Sequence, residues 1–274
     1  MASARRRSLQ IACLVLSGLA WIAPRGAAAQ PAPHLEWAED LVFNLAPDNN
    51  EYNSSPSLIT WAGVSGARRY TNRTQCATFL TELLKRSYGF TTSSLYDWLG
   101  STSPSAAVYH DAIVAEDGFE RITSLTHARA GDILTILYPA SESSTGHVAI
   151  LRQAPRRRSA AMPLVPGTVQ FEVSVVDSTS SLHGTSDSRM SSGGRWATGA
   201  GFGVMRLYTS VTGGSPIVGY TWSTATTTVY YPAALRPVAI GRLVMEDDPD
   251  ERPRPRWRPG ADDRDDARPR DEDR

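Results

Sequence analysis

Hydrophobic positions along the chain follow two periods. From Thr74 to Tyr88 the apolar residues Phe79, Leu80, Leu83 and Leu84 recur on one helical face. Asn72 or Thr74 is placed to cap the start of that helix and Gly89 to end it. Ser94–Leu99 and Ser105–Ala115 read as further short helices. Beyond them the pattern shortens to runs rich in Val, Ile and Leu, separated by turns of Gly, Ser and Pro. The runs are Asp132–Tyr138, His147–Leu151, Val169–Val176, Gly203–Tyr208, Ile217–Trp222, Thr226–Tyr231 and Val238–Val244. Helices first and strands afterwards predict an α+β fold, with N-terminal helices packed on one side of an antiparallel sheet. Arg152–Gly167, with three consecutive arginines and three prolines, reads as a long exposed hairpin loop.

Both ends depart from this pattern. Arg5, Arg6 and Arg7 precede an apolar run from Ile11 to Ile22, which ends in Gly26-Ala27-Ala28-Ala29. A basic start, a short apolar run and small residues at −3 and −1 predict a signal peptide over 1–29, cut after Ala29. The run is short for a membrane span, which needs about 20 apolar residues, so no stable span is expected after cleavage. Residues 246–274 hold 12 acidic residues, 8 arginines and 5 prolines. With no hydrophobic period to offset the entropy of ordering, this stretch reads as a disordered charged tail. One domain remains over 30–245, in a chain of 274 residues, long enough to bury a sizeable core.

Composition narrows the function classes. A hydrophobic content of 41% excludes global disorder and a multi-span membrane protein. Zero formal charge argues against a nucleic-acid binder. Of the two cysteines, Cys13 lies in the signal peptide, so the mature chain carries Cys76 alone. An unpaired thiol in an exported protein points to a reactive role or to burial.

Cys76 falls in the first turn of the predicted helix. Free N–H groups and the positive end of the helix dipole favour a thiolate there. The same N–H groups suit the oxyanion of a tetrahedral intermediate, and Gln75 can add a donor. Among the histidines, His34 follows the cut and reads as mobile, and His110 and His127 lie in polar surroundings. His147, in Gly146-His147-Val148-Ala149-Ile150, stands at a strand start, where Gly146 permits close backbone approach. If the strands at 147–151 and 169–177 pair as a hairpin, Asp177 comes to lie beside His147, where a carboxylate would fix the imidazole. His183, six residues further on, competes for that role.

Gln75-Cys76, Gly131-Asp132-Ile133 and Gly146-His147-Val148-Ala149-Ile150, in that order, resemble the CHAP family of cysteine, histidine-dependent amidohydrolases/peptidases and the NlpC-type cell-wall endopeptidases. The resemblance covers roughly residues 60–180. It implies a permuted papain-like fold, with Cys76 as nucleophile, His147 as general base and Asp177 as the orienting group. Gly131-Asp132 would open the sheet. Tyr70 is the aromatic residue near the cysteine that would join Gln75 at the oxyanion. The implied activity is an exported, secreted or periplasmic hydrolase, monomeric, acting on peptidoglycan peptides without metal or cofactor. Two alternatives stay open: a non-catalytic exported binding module of the same fold, and an acyltransferase or amidase acting on a small molecule. Residues 185–245 match nothing in that pattern.

Overall fold

The chain enters the fold through a helix that the hydrophobic pattern did not announce. Pro33–Asn44 form α1, with proline at the first turn, where its fixed φ suits a helix and its missing N–H costs nothing. Leu35, Ala38 and Leu41 are buried along one face. His34 is buried with them, not mobile: its Nδ1 lies 2.7 Å from the Tyr88 hydroxyl and its Nε2 2.7 Å from the Gly131 carbonyl oxygen. The computed structural model describes residues 32–246, except 54, 192 and 212–214, together with 254–255. The expected signal peptide over 1–29 lies outside the described residues.

Three further helices follow the predicted order. α2 spans Cys76–Tyr88, α3 Thr92–Leu99 and α4 Ala106–Ala115. Gly89 ends α2 at φ +70°, the left-handed conformation glycine adopts without a Cβ penalty. The start differs from expectation. Gln75 is the N-cap residue, its side chain caps nothing, and the Thr74 hydroxyl donates instead to Asn72 Oδ1 at 2.6 Å.

Strands β1 (Asn50–Glu51), β2 (Leu58–Thr60) and β3 (Thr71–Arg73) make a small sheet in the order β1-β3-β2. The large sheet contains β4 (Phe119–Arg121), β5 (Ile133–Leu137), β6 (Gly146–Leu151), β7 (Arg156–Arg158), β8 (Thr168–Thr179), β9 (Gly199–Ser210), β10 (Ile217–Thr221), β11 (Tyr230–Pro232) and β12 (Val238–Leu243). Its order is β11-β10-β9-β8-β6-β5-β12-β4, with β7 also paired to β8. Every pairing in it is antiparallel. The fold is therefore α+β, as the pattern predicts. The expected long loop over 152–167 instead carries β7, whose arginines lie along the edge of β8. Met245–Glu246 (β13) pair with Arg254–Pro255 (β14), three of these four residues lying in the stretch expected to be disordered. The rest of that stretch lies outside the described residues.

Alternation along the strands builds two cores. Ile133, Val148, Ile150 and Val176 face the helices and pack with Phe79, Leu80, Leu83, Leu84, Tyr109 and Ile113. The intervening Leu134, Ile136, Ala149, Leu151, Val173 and Val175 face the other way and pack with Met205, Leu207, Tyr220 and Ile240. On that second side the sheet curls on itself. The Tyr220 hydroxyl of β10 lies 3.2 Å from the Arg236 guanidinium just before β12, although four strands separate them in the sheet. In a flat sheet, five spacings of about 4.8 Å would put them out of reach.

Gly146 shows why this sequence fits. At φ +149° it lies so close to β5 that a Cβ would collide with the Ile136 carbonyl oxygen. Asp132, at the mouth of β5, accepts bonds from the Arg129 N–H and the Arg242 guanidinium, which fastens the turn that opens the sheet.

Burial makes His34 a determinant of acid stability, since it pushes the imidazole down from 6.5 to about 4. As pH falls from about 6.5 to about 4, the unfolded chain takes up a proton that the native ring refuses. Stability that is complete above this window is lost by roughly 3 kcal/mol across it. Urea unfolding at a series of pH values should show this loss, and a His34→Gln variant should show a flatter profile over the same window.

Candidate active site

The start of α2 is fixed by a chain of buried polar contacts. Asn50 accepts from the Ala200 N–H at 2.8 Å and donates to the Ala200 carbonyl at 2.7 Å. Asn72 donates to Asn50 Oδ1 at 2.9 Å and accepts from Thr74. The Thr74 carbonyl accepts from the Ser178 hydroxyl of β8 at 2.7 Å. Thr74, two residues before the first residue of α2, is thus tied to both β8 and β9. Cys76 follows as the first helical residue, 6% exposed, and Gln75 beside it is exposed.

Strand alternation supplies the partners. His147 shares the face of Ala149 and Leu151 on β6, and Asp177 that of Val173 and Val175 on β8. The β6–β8 register pairs Ile150 with Val176, which places His147 and Asp177 two positions apart diagonally on one face. His147 Nε2 lies 2.7 Å from Asp177 Oδ2, and Asp177 is fully buried. The Cys76 thiol faces the Gly146 carbonyl oxygen at 3.9 Å, and with Nε2 occupied, Nδ1 is the His147 nitrogen left to interact with it. The three residues named from the sequence therefore meet.

Electrostatics favours the charged forms of all three. Burial pushes the Cys76 thiol up, but the His147 charge and hydrogen bond, with the N–H groups of Val148 and Ala77, leave it below its ordinary value. Burial pushes His147 down, but Cys76 and Asp177 outweigh it and raise the imidazole to about 9. Burial also opposes the Asp177 charge. His183, Arg189 and the His147 hydrogen bond hold the carboxyl well below the usual carboxylate range. A thiolate–imidazolium pair is the resting state these effects support.

Tyr70 does not join this group. Its hydroxyl donates to Asp40 Oδ1 at 3.5 Å and it does not line the cleft above Cys76. Tyr52, which follows β1, lines the cleft with Cys76 instead, and its phenol feels the Cys76 charge. Burial and the neighbouring Cys76 charge both raise the phenol, so it stays protonated and available as a donor. Nothing in the sequence marks Tyr52, because the small sheet that delivers it is too short to leave a hydrophobic period. His183 does not displace His147 but joins it. Its Nε2 lies 2.8 Å from the same Asp177 Oδ2. Arg189 donates to Asp177 Oδ1 at 3.0 and 3.1 Å.

Cys76 and His147 open on a cleft of about 900 Å³. Gln75, Tyr52, Tyr138, Trp222, Tyr231 and Arg236 are among its lining residues, and hydroxyl side chains make up much of the rest. Arg236 is stacked 4.2 Å from both the Tyr138 and Tyr231 rings and bonds Glu142 through two nitrogens. Among the described residues, the ligand atoms of His147, Asp177 and His183 lie within 4.8 Å of one another, close enough to be tested as a metal site. Both nitrogens, however, point at one carboxylate oxygen at hydrogen-bond distance. Tetrahedral ligands at about 2 Å from zinc stand about 3.3 Å apart around a shared centre. The arrangement is that of a hydrogen-bonded network.

This geometry predicts a fast-reacting thiol. Iodoacetamide should alkylate Cys76 at pH 6 at least tenfold faster in the wild-type protein than in a His147→Ala variant, read by intact mass. Equal rates would show that the imidazole does not activate the sulfur.

No protein family matches the chain, and no solved structure matches it. The chain is 29% identical over 219 residues to an uncharacterised protein of Acanthamoeba polyphaga mimivirus, an alignment that covers 76% of this chain and 95% of the viral protein.

Proposed function

We propose that this protein is an exported cysteine hydrolase of the permuted papain-like type that cleaves an amide bond, with peptidoglycan peptides as its substrate class. One observation carries the reading. A thiol at a helix start is coupled electrostatically to an imidazole whose Nε2 is bonded at 2.7 Å to a fully buried carboxylate, and both open on a cleft. Position, charge and order along the chain agree with the resemblance drawn from Gln75-Cys76 and Gly146-His147.

In the mechanism, the Cys76 thiolate attacks the carbonyl carbon and a C–S bond forms. The carbonyl oxygen takes the negative charge, facing the Cys76 N–H, the Gln75 side chain and the Tyr52 hydroxyl. The His147 imidazolium then gives its Nδ1 proton to the amide nitrogen, the C–N bond breaks, and the amine leaves. Neutral His147 next takes a proton from water, whose oxygen attacks the thioester. The C–S bond breaks, the acid product departs, and the thiolate–imidazolium pair is restored. Throughout, Asp177 holds the Nε2–H and keeps the ring in the tautomer that presents Nδ1 to sulfur.

A Cys76→Ala variant should fold normally and release no new termini from purified peptidoglycan, measured by mass spectrometry of the soluble fragments. The wild-type protein should release them. Absence of wild-type cleavage across peptidoglycan types would overturn the substrate assignment. Tyr52→Phe should lower kcat about a hundredfold through loss of one oxyanion donor, while Tyr70→Phe leaves it unchanged. Activity should hold through neutral pH and fall above about pH 9, where His147 loses the proton it must donate.

A further inference from the structure

Asp177 is shared by two imidazoles. Its Oδ2 lies 2.7 Å from His147 Nε2 and 2.8 Å from His183 Nε2, while Oδ1 receives both terminal nitrogens of Arg189. The other nitrogen of His183, Nδ1, lies 2.8 Å from the Trp222 carbonyl oxygen. A carboxylate and a carbonyl can only accept, so each ring nitrogen of His183 must carry a proton. His183 is therefore a buried cation. Two carboxylates, Asp177 and Asp187, are then balanced by Arg189 and His183, and the His147–Cys76 pair is balanced within itself.

The surroundings are built to hold that ring. The His183 N–H donates to Asp187 Oδ2 at 2.8 Å. Asp187 also accepts from the N–H, Nε and Nη2 of Arg189 at 2.8–2.9 Å. The Trp222 ring stacks on His183 at 4.4 Å and meets His147 edge-on at 4.7 Å. Gly203 on β9 leaves room for the imidazole, since a Cβ there would collide with its Cδ2. Gly201, directly across from Asp177, leaves room for Arg189, whose Nε would lie 2.7 Å from a Cβ. Groups from every neighbouring element thus face His183: Asp177 of β8, Asp187 and Arg189 of the following loop, His147 of β6 with Cys76 behind it, and Trp222 after β10.

We propose that His183 is a positioning residue of this site, a second imidazolium that shares the Asp177 carboxylate with His147 and thereby sets the pH range over which the Cys76–His147 pair stays charged. The proposal rests on the cysteine-hydrolase reading. Removing this cation leaves one uncompensated negative charge beside the pair. Extra negative charge favours the protonated form of both groups, so the thiolate forms at higher pH and the imidazolium survives to higher pH.

The test is the pH profile of Cys76 alkylation by iodoacetamide, together with turnover, in the wild-type and His183→Gln proteins. In the variant, the acid limb of alkylation and both limbs of turnover should move upward by about one pH unit, giving roughly tenfold slower labelling at the wild-type acid midpoint. A uniform loss of rate with unmoved limbs would mean a merely structural role and would overturn the proposal. A wild-type protein with no thiolate below pH 7 would overturn the hydrolase reading itself, a distinguishable failure. Should His183→Gln not fold, nitrogen-15 NMR of the wild-type histidines decides. Protons on both ring nitrogens of His183 at pH 7 support the proposal, and a neutral tautomer refutes it.

Discussion

A carboxylate without access to water must find its counter-charges inside the protein, and the arrangement around Asp177 follows from that requirement. An isolated buried carboxylate would sooner take up a proton than stay charged. Here four donors from three side chains converge on its two oxygens. The outcome is a fixed acceptor that cannot swing away from His147 and cannot easily protonate. Orientation of the imidazole, and hence the availability of Nδ1 to the Cys76 sulfur, depends on this one desolvated charge.

The demands of that charge extend across the sheet. Arg189 and His183 reach Asp177 only because β9 presents glycine at 201 and 203, on the face toward Asp177 and Val175. The segment that resembled nothing in the sequence thus supplies the floor beneath the buried charges. The same strand holds Asn50 at Ala200, and through Asn72 and Thr74 that contact sets where α2 begins. Cys76, His147 and Asp177 come from one helix and two strands, and β9 touches the supports of two of them. A long central strand, paired along all of β8, gives the stiffness that such positioning needs.

The walls of the cleft follow from the curl of the sheet. Because β10 and the approach to β12 come within side-chain reach, Trp222, Tyr231 and Arg236 stand over the same space as Cys76 and His147. Aromatic rings shield the imidazoles from bulk water and strengthen the electrostatic interactions around them. Hydroxyl-bearing residues among those lining the cleft keep it polar.

Sequence by itself determined the helices from 76 onward, most of the long strands and the identity of the three central residues. Each of these leaves a local mark: a hydrophobic period, a glycine at a turn, or a reactive residue type at a helix or strand end. Asp177 was legible because antiparallel pairing of neighbouring strands brings the end of one beside the start of the next. Tertiary structure alone decided the rest. α1 carries its buried face on few residues and begins next to the segment read as a signal peptide, so His34 read as mobile. The Arg156 strand pairs with an edge its composition does not advertise. Tyr70 and Tyr52 look alike in sequence, and only the small three-stranded sheet determines which one reaches Cys76. His183, Asp187 and Arg189 form a short polar run whose local chemistry suits a turn. Their charges acquire meaning only where folding removes water from Asp177, an effect of burial that no local pattern records.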